Sequence, residues 1–327
     1  MKILVVFTGG TIGSVSGKKW ISLDDSTNYT LIENYNNSDG IVFDVCSPYS
    51  ILSENLSGEE LSLICKVVNE KAKKGYDGII VTHGTDTIQY TASALSYTVN
   101  AKDIPIVLVS ANYPLEDERT NGNINFKSAV DFIKSKKANG VFVAYKNENE
   151  KETKIHLGTA ITSHAEARDE IYSLGGKPFA FVLDGVVTLS EKAKDYTPND
   201  KEMEVDFVKS PSVLMVTSFP GDNFNYSLDG VKAVLIKPYH SGTLATENPM
   251  LKDFSERAKE TGVPVFLCNV MGGKAYDSAR VYKELSLTVL PFCTIPAIYT
   301  KIWLAVSKNR DIREFVLSEL SSEFSLK

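Results

Sequence analysis

Residues 2–15 read KILVVFTGGTIGSV, so that a short apolar run leads directly into a turn rich in glycine and hydroxyl groups. The run predicts a buried strand, because it is short, apolar and ended by glycine. Gly9 and Gly10 allow the chain to turn sharply, and at this point a purely structural turn remains the alternative to a functional one. A dinucleotide site is disfavoured, because Thr8 stands where G-x-G-x-x-G has its first glycine.

Strand-like and helix-like segments alternate along the first half of the chain. Strands are predicted at 41–47, 77–83, 104–110 and 140–145, and helices after the S-x-x-E cap at 57–60 and at about 85–99 and 123–137. The alternation predicts an α/β fold with a mainly parallel sheet flanked by helices. A smaller α/β unit is predicted from strands at 213–219, 232–237 and 264–270 and helices at about 248–262, 294–308 and 310–320. The predicted organisation is a larger N-terminal domain (1–187), a charged linker (188–211) and a smaller C-terminal domain (212–327).

The composition is that of an ordinary globular protein. The chain has 327 residues, 43% of them hydrophobic, and a formal net charge of −6. An acidic chain does not favour nucleic acid or an anionic membrane as a partner. The four cysteines are scattered and the histidines lack metal-ligand spacing, which indicates a cytoplasmic protein with no metal and no cofactor.

A second hydroxyl-rich turn, THGTDT at 82–87, follows another predicted strand. Parallel strands place their carboxyl ends at one edge of the sheet, so the two turns are expected to form one pocket. A threonine nucleophile needs a base and N–H donors for the developing oxyanion. Thr85 and Asp86 begin the predicted helix, where N–H groups favour a bound carboxylate. Together these turns suit a small acidic substrate that carries an amide.

TGGTI followed by HGTDT resembles the bacterial-type L-asparaginase/glutaminase family of the cytoplasmic type. PIVLVSANYPLEDERTNGNINFKSA, at 105–129, is similar to a third family segment, and Asn121 replaces the aspartate of that segment's turn. Fainter similarity continues in YHSGT (239–243) and VMGGKAY (270–276). The resemblance implies a larger N-terminal domain, a linker and a smaller C-terminal domain.

The resemblance also implies roles for individual residues. Thr11 matches the nucleophile, and Thr85 and Asp86 match the second threonine and its aspartate. The residues that it places around the substrate are Gly10, Ser53, Glu54, Gly84 and Ala111.

Two positions depart from the family pattern. The family places a tyrosine on a lid after the nucleophile, where this chain has Trp20, and a lysine beside the second threonine, where this chain has Ser163. Indole N–H donates only, so Trp20 cannot take up a proton. Tyr29, in the polar segment 14–40 that is predicted to be a lid, and His164, as a neutral proton acceptor, are the predicted replacements. In that role His164 makes activity fall with falling pH.

The leading functional prediction is hydrolysis of L-asparagine, with L-glutamine as a poorer substrate, by a homodimer or homotetramer. A binding or regulatory protein with this pocket but weak or no catalysis is a second hypothesis. The third is an amidotransferase subunit, which is expected to carry an additional N-terminal domain.

Overall fold

The computed structural model describes residues 1–16, 21–23, 29–164, 167–270 and 276–324. The strands in chain order are β1 (Lys2–Val6), β2 (Ser14–Ser16), β3 (Ile21–Leu23), β4 (Val42–Cys46), β5 (Gly78–Thr82), β6 (Pro105–Val109), β7 (Gly140–Tyr145), β8 (Thr153–Leu157), β9 (Ala180–Leu183), β10 (Val186–Leu189), β11 (Val213–Thr217), β12 (Ala233–Lys237), β13 (Val265–Leu267) and β14 (Leu287–Val289). The α-helices are α1 (Thr30–Asn34), α2 (Gly58–Ala72), α3 (Ile88–Thr98), α4 (Gly122–Ser135), α5 (Pro249–Glu260), α6 (Ile295–Ser307) and α7 (Ile312–Leu317).

The larger of the two main sheets has eight strands in the order β10-β9-β8-β7-β6-β5-β1-β4. The five strands from β7 to β4 run parallel, and β8, β9 and β10 continue the sheet in antiparallel fashion. Residues at the carboxyl ends of β4, β1 and β5 are in register, with Val6 opposite Cys46 and Val81. The predicted fold class, an α/β protein with a mainly parallel sheet flanked by helices, is confirmed.

Both faces of this sheet are covered by apolar layers. On β1, Leu4 and Val6 pack in the layer formed with α2 and α3, whereas Ile3 and Val5 pack in the layer formed with α4. This alternation follows from the two-residue period of a strand. A strand buried on both faces reads as a continuous apolar run, as the opening stretch does.

The helix boundaries follow from local capping chemistry. Ser57 accepts a hydrogen bond from the N–H of Glu59, and the Glu60 carboxylate accepts one from the N–H of Ser57. This capping box starts α2 where the S-x-x-E pattern predicts it. In the second half of the chain, Asn248 caps α5, and Pro249 stands at its first turn.

A second sheet contains four parallel strands in the order β11-β12-β13-β14. Helix α5 packs on one face through Leu251 and Phe254. Helix α6 packs on the other face through Ile298 and Ile302, and its Leu304 lies in the core of the large sheet. One helix therefore joins the two hydrophobic cores.

The predicted domain boundaries stay a prediction, but the predicted linker begins differently in the structure. Thr188 and Leu189 belong to β10, which pairs with β9 at the edge of the large sheet.

Within the predicted lid, β2 pairs with β3, while residues 17–20 and 24–28, including Trp20, lie outside the described residues. None of the helices in the described ranges is long and apolar enough to cross a membrane.

Candidate active site

Three loops meet at the carboxyl edge of the parallel strands. The turn after β1 is held against the loop after β4, because the N–H of Gly10 donates to the carbonyl of Ile51 at 3.0 Å and the N–H of Ile51 donates to that of Thr8 at 3.1 Å. The loop after β5 begins at His83, whose N–H donates to the carbonyl of Val109 at 2.9 Å. Backbone hydrogen bonds thus continue the sheet beyond its last regular residues.

Glycines allow these loops to touch backbone to backbone. A Cβ on Gly10 would lie 2.4 Å from the nitrogen of Gly84, and one on Gly84 would lie 2.3 Å from the Oγ of Ser53. Gly10 also has a φ of 78°, which L residues rarely adopt. Thr11 and Thr85 each follow one of two glycines that are in contact. The structure therefore brings together the two turns that the sequence pattern assigned to one pocket.

Thr11 begins a 3₁₀ turn that leaves its side chain partly exposed. The turn is closed by Gly13, whose N–H donates to the carbonyl of Gly10 at 3.0 Å, and by Ser14, whose hydroxyl donates to the same carbonyl at 2.8 Å. Among the described residues, no group forms a hydrogen bond with the Thr11 hydroxyl. A hydroxyl without a partner among the described residues is compatible with a nucleophile.

The loop of Thr85 and Asp86 leads into α3. Thr87 donates from its hydroxyl to the carbonyl of Ser53 at 2.8 Å, and Gln89 donates from its amide to the carbonyl of Asp86 at 2.9 Å. Thr85 is partly buried and the Asp86 side chain is exposed. These bonds fix the loop against the residues that follow β4 and leave the Asp86 carboxylate facing solvent.

Ser53 and Glu54 form a 3₁₀ turn at the end of the loop after β4. The Ser53 side chain is buried against Gly84, and the Glu54 side chain is exposed. Ser53, Gly84 and Gly10 are therefore in one contact group, whereas no described contact joins the Glu54 side chain to the two threonines. The role of Glu54 stays a prediction.

Ala111 lies buried in the loop after β6, where an amide clasp closes the loop. The N–H of Asn112 donates to the Oδ1 of Asn121, and the N–H of Asn121 donates to the Oδ1 of Asn112, both at 3.0 Å. The Nδ2 of Asn121 donates to the carbonyl of Lys146 at 2.8 Å. A carboxylate cannot donate that bond, which gives a physical reason for an asparagine where the family has an aspartate.

His83 supports the loop from inside. Its Nδ1 lies 2.8 Å from the carbonyl of Gly84 and its Nε2 lies 2.8 Å from the hydroxyl of Thr91. The first contact requires an N–H at Nδ1, and the second then accepts the Thr91 proton at Nε2. Burial lowers the pKa of His83 to about 4, so the ring is neutral at pH 7. His83 is a structural support of this loop.

His164 reaches the same loop from the segment after β8. Its Nε2 lies 2.9 Å from the carbonyl of Thr85 and its Nδ1 lies 3.1 Å from the carbonyl of Glu170. Both partners are carbonyl oxygens, and no described hydrogen bond joins either ring nitrogen to the Thr85 hydroxyl. The proton-acceptor role of His164 stays a prediction. Ser163 is exposed.

The second predicted replacement, Tyr29, lies at the start of α1 with 55% of its surface exposed. Within the described ranges no hydrogen bond joins it to Thr11 or to the loop after β5. No group of three or more His, Cys, Asp or Glu side chains in the described part of the chain could hold a metal ion.

Sequence reasoning did not identify several groups that fix the site loops: the side chains of Thr87, Gln89, Thr91 and Asn112 and the backbone carbonyl of Glu170. Each forms a hydrogen bond with a residue that the pattern did not relate to it. Only Gln89 carried a local signal, because a side chain in the first turn of a helix can reach back to the preceding loop.

Hydroxyl and carboxylate groups gathered at the carboxyl ends of adjacent parallel strands lie where α/β proteins bind small ligands. The chain belongs to the asparaginase family, since the family profile described as "Asparaginase, N-terminal" matches residues 2–194, which is more than half of its length. It is accordingly an amidohydrolase.

Two kinds of curated relatives are similar to this chain. The L-asparaginase of Thermococcus kodakarensis is 29% identical over 332 residues, which cover 96% of this chain and 95% of the relative. A glutamyl-tRNA(Gln) amidotransferase subunit of Methanosphaera stadtmanae is 30% identical over 227 residues, 66% of this chain, and the match spans half of that protein's length. Among solved structures, the thermostable L-asparaginase from Thermococcus kodakarensis is similar to this chain with a TM-score of 0.79 at 25% identity. The superposition covers 99% of this chain and 99% of that chain.

Proposed function

We propose that this protein hydrolyses L-asparagine to L-aspartate and ammonia, with Thr11 as the nucleophile and L-glutamine as a poorer substrate. The observation that supports the proposal is the contact between Gly10 and Gly84, the residues that directly precede Thr11 and Thr85. The relatives named L-asparaginase support the choice of substrate.

The roles follow from the chemistry of each group. The Thr11 Oγ attacks the carbonyl carbon of the side-chain amide and forms an acyl ester, and the amide nitrogen leaves as ammonia after it gains the proton that the Thr11 hydroxyl gives up. Water then hydrolyses the ester and returns the Thr11 hydroxyl. The exposed Asp86 carboxylate suits the α-ammonium group of the substrate, and Ser53 and the N–H groups before α3 suit its α-carboxylate.

The test measures ammonia release by the purified protein with asparagine or glutamine. Aspartate, which has no side-chain amide, is the control. Thr11→Val keeps the shape of the side chain and removes the hydroxyl, and Thr11→Ser keeps the hydroxyl. The valine variant is expected to lose at least about a thousandfold in kcat, and the serine variant to retain measurable turnover. Equal activity of the valine variant and the parent would exclude Thr11 as nucleophile.

An amidotransferase subunit is the second candidate, favoured by the relatives named as glutamyl-tRNA(Gln) amidotransferase subunits. One of them, from Methanobrevibacter smithii, is 28% identical over 95% of this chain. A subunit of that kind is expected to release little ammonia from either amide by itself, whereas an asparaginase turns over asparagine alone. A parent that binds aspartate but releases no ammonia would favour the binding or regulatory hypothesis.

A homodimer or homotetramer is proposed from the family resemblance and is tested by light scattering.

A further inference from the structure

The serine and threonine hydroxyls of helix α3 form two kinds of hydrogen bond. Ser93, Ser96 and Thr98 each donate to the backbone carbonyl four residues earlier, at 2.7–2.8 Å. A hydroxyl in the middle of a helix ordinarily forms this bond. Thr91, in the same fully described helix, does not form it, and its hydroxyl lies 2.8 Å from Nε2 of His83. The Thr91 hydroxyl is thus committed to the imidazole beneath the loop after β5.

The contact with Thr91 matches one particular tautomer of His83. Burial lowers the pKa of His83 to about 4, so at pH 7 the ring is neutral and has a single N–H. Nδ1 lies 2.8 Å from the carbonyl of Gly84, an oxygen that can only accept, so the proton is on Nδ1. Nε2 must then accept, and the Thr91 hydroxyl supplies the donor. The hydrogen bonds therefore run in one direction, from Thr91 through His83 to the Gly84 carbonyl.

The Gly84 carbonyl belongs to the peptide group that also contains the N–H of Thr85. This group is trans, and in a trans peptide group the C=O and the N–H point in opposite directions. Because the carbonyl faces the buried ring of His83, the Thr85 N–H points away from that ring. Glycine does not fix the peptide plane by itself, since without a Cβ it adopts a wide range of dihedral angles. The bond from His83 therefore sets the direction of the Thr85 N–H.

The Thr85 N–H lies at the candidate site and has no hydrogen-bond partner among the described residues. Gly84 packs against Gly10, which directly precedes Thr11, and against the side chain of Ser53. A backbone N–H at such a place is the kind of donor that stabilises the negative oxygen of a tetrahedral intermediate. A donor of this kind is most effective when its direction is fixed before the reaction, because no reorganisation is then needed.

We propose that Thr91 and His83 are positioning residues for the hydrolysis of the amide. Thr91 holds His83 in its Nδ1–H tautomer, and His83 in turn holds the Gly84 carbonyl. The N–H of Thr85 is thereby fixed as a donor to the oxyanion that forms when Thr11 attacks the amide. This inference rests on the proposed function. Both side chains are buried and act through the backbone, so their loss should alter kcat more than KM.

The tautomer is tested by ¹⁵N NMR of the histidine rings in the full chain, which has four histidines. The signals of His83 are identified by their loss in the His83→Gln variant. At pH 7 we expect a proton on Nδ1 of His83 and a bare Nε2. A proton on Nε2 would overturn the inference, and the measurement does not need activity.

The kinetic test compares Thr91→Val, which removes the hydroxyl and keeps the shape, with Thr91→Ser, which keeps a hydroxyl. We expect the valine variant to lose at least about tenfold in kcat with little change in KM, and the serine variant to keep at least about a third of the parent's kcat. Thr98→Val is the matched control, because it removes a buried hydroxyl that donates within the same helix. The control should keep the parent's kcat.

A Thr91→Val protein with the parent's kcat would contradict the positioning role, and so would an equal loss in the Thr98→Val control. Both results are read with a parent that turns over asparagine. A parent that releases no ammonia contradicts the proposed function instead, and with it the role of the Thr85 N–H, so the two failures are distinguishable.

Discussion

The turn after β1 and the segment that carries His164 both contact the loop after β5, but different interactions hold them there. The turn is held by backbone packing, in which Gly10 meets Gly84 without any side chain between them. The segment is held by the imidazole of His164, whose Nε2 lies 2.9 Å from the carbonyl of Thr85. The first arrangement leaves a local signature of glycines in the sequence, and the second leaves none. Backbone contacts of this kind also carry no titratable group, whereas side-chain contacts can depend on pH.

The largest effect is expected from Gly10→Ala. The new Cβ would lie 2.4 Å from a backbone nitrogen at a φ of 78°, so the loops must separate. We expect a loss of about 3 kcal/mol or more in the free energy of unfolding and no measurable ammonia release.

Gly75→Ala is the matched control, because Gly75 has a φ of 72° and open space around its Cβ position. It should lose only about 1–2 kcal/mol, the cost of the conformation itself. Denaturant titration of both variants checks this, and equal losses would show that the backbone contact is unimportant.

Two buried histidines make the free energy of unfolding depend on pH. Burial lowers the pKa of His83 to about 4 and that of His156 to about 3, whereas an unfolded histidine titrates near 6.5. Below pH 6.5 the unfolded chain binds protons that the folded chain does not, so the stability falls as the pH falls towards these values. Each histidine should contribute a slope of about 0.7 kcal/mol for each pH unit at pH 6.5, which rises towards about 1.4 kcal/mol near pH 5.

Urea titrations between pH 5 and 6.5 measure this slope in a range where exposed carboxylates contribute little. His156→Gln should reduce the slope by the share of one proton. A slope that this substitution leaves unchanged would mean that His156 is protonated in the folded protein.

A smaller effect is expected from Asn121→Asp, which restores the residue of the family pattern. The carboxylate would face the carbonyl of Lys146 in place of the amide that now donates to it at 2.8 Å in a largely buried site. We expect a loss of about 1–3 kcal/mol. Asn139→Asp removes the corresponding bond to the carbonyl of Lys102 at an exposed site and should lose less than about 1 kcal/mol. Thermal unfolding at pH 7 compares the two, and a more stable Asn121→Asp variant would disprove the amide's role.

The sequence predicted the parallel core well, because its strands are continuous apolar runs bounded by glycine or polar turns. The stretches 77–83 and 104–110 contain β5 and β6, and both strands are fully buried. The antiparallel strands β8, β9 and β10 were not predicted. They are four or five residues long, β8 contains lysine and histidine, and β10 leaves three of its four residues exposed, so neither has a clear apolar pattern.

The candidate site was predictable to the extent that it depends on glycine turns at strand ends. Thr11, Thr85 and Ser53 lie in loops that those turns bring into contact. The contacts of His164 with the carbonyls of Thr85 and Glu170 could not be predicted, because no residue pattern encodes the direction of a backbone carbonyl. The clasp between Asn112 and Asn121 was missed for the same reason. The proton-acceptor role of His164 stays a prediction.

The central claim is that Thr11 becomes acylated, and trapping of the ester tests it most directly. The Thr85→Val variant, in which turnover is expected to slow, would be mixed with asparagine, quenched in acid and mapped by peptide mass spectrometry beside the parent and Thr11→Val. The account predicts an aspartyl ester on the peptide that contains Thr11, absent from the Thr11→Val protein. An ester on another residue, or ammonia release by Thr11→Val at the parent's rate, would contradict it.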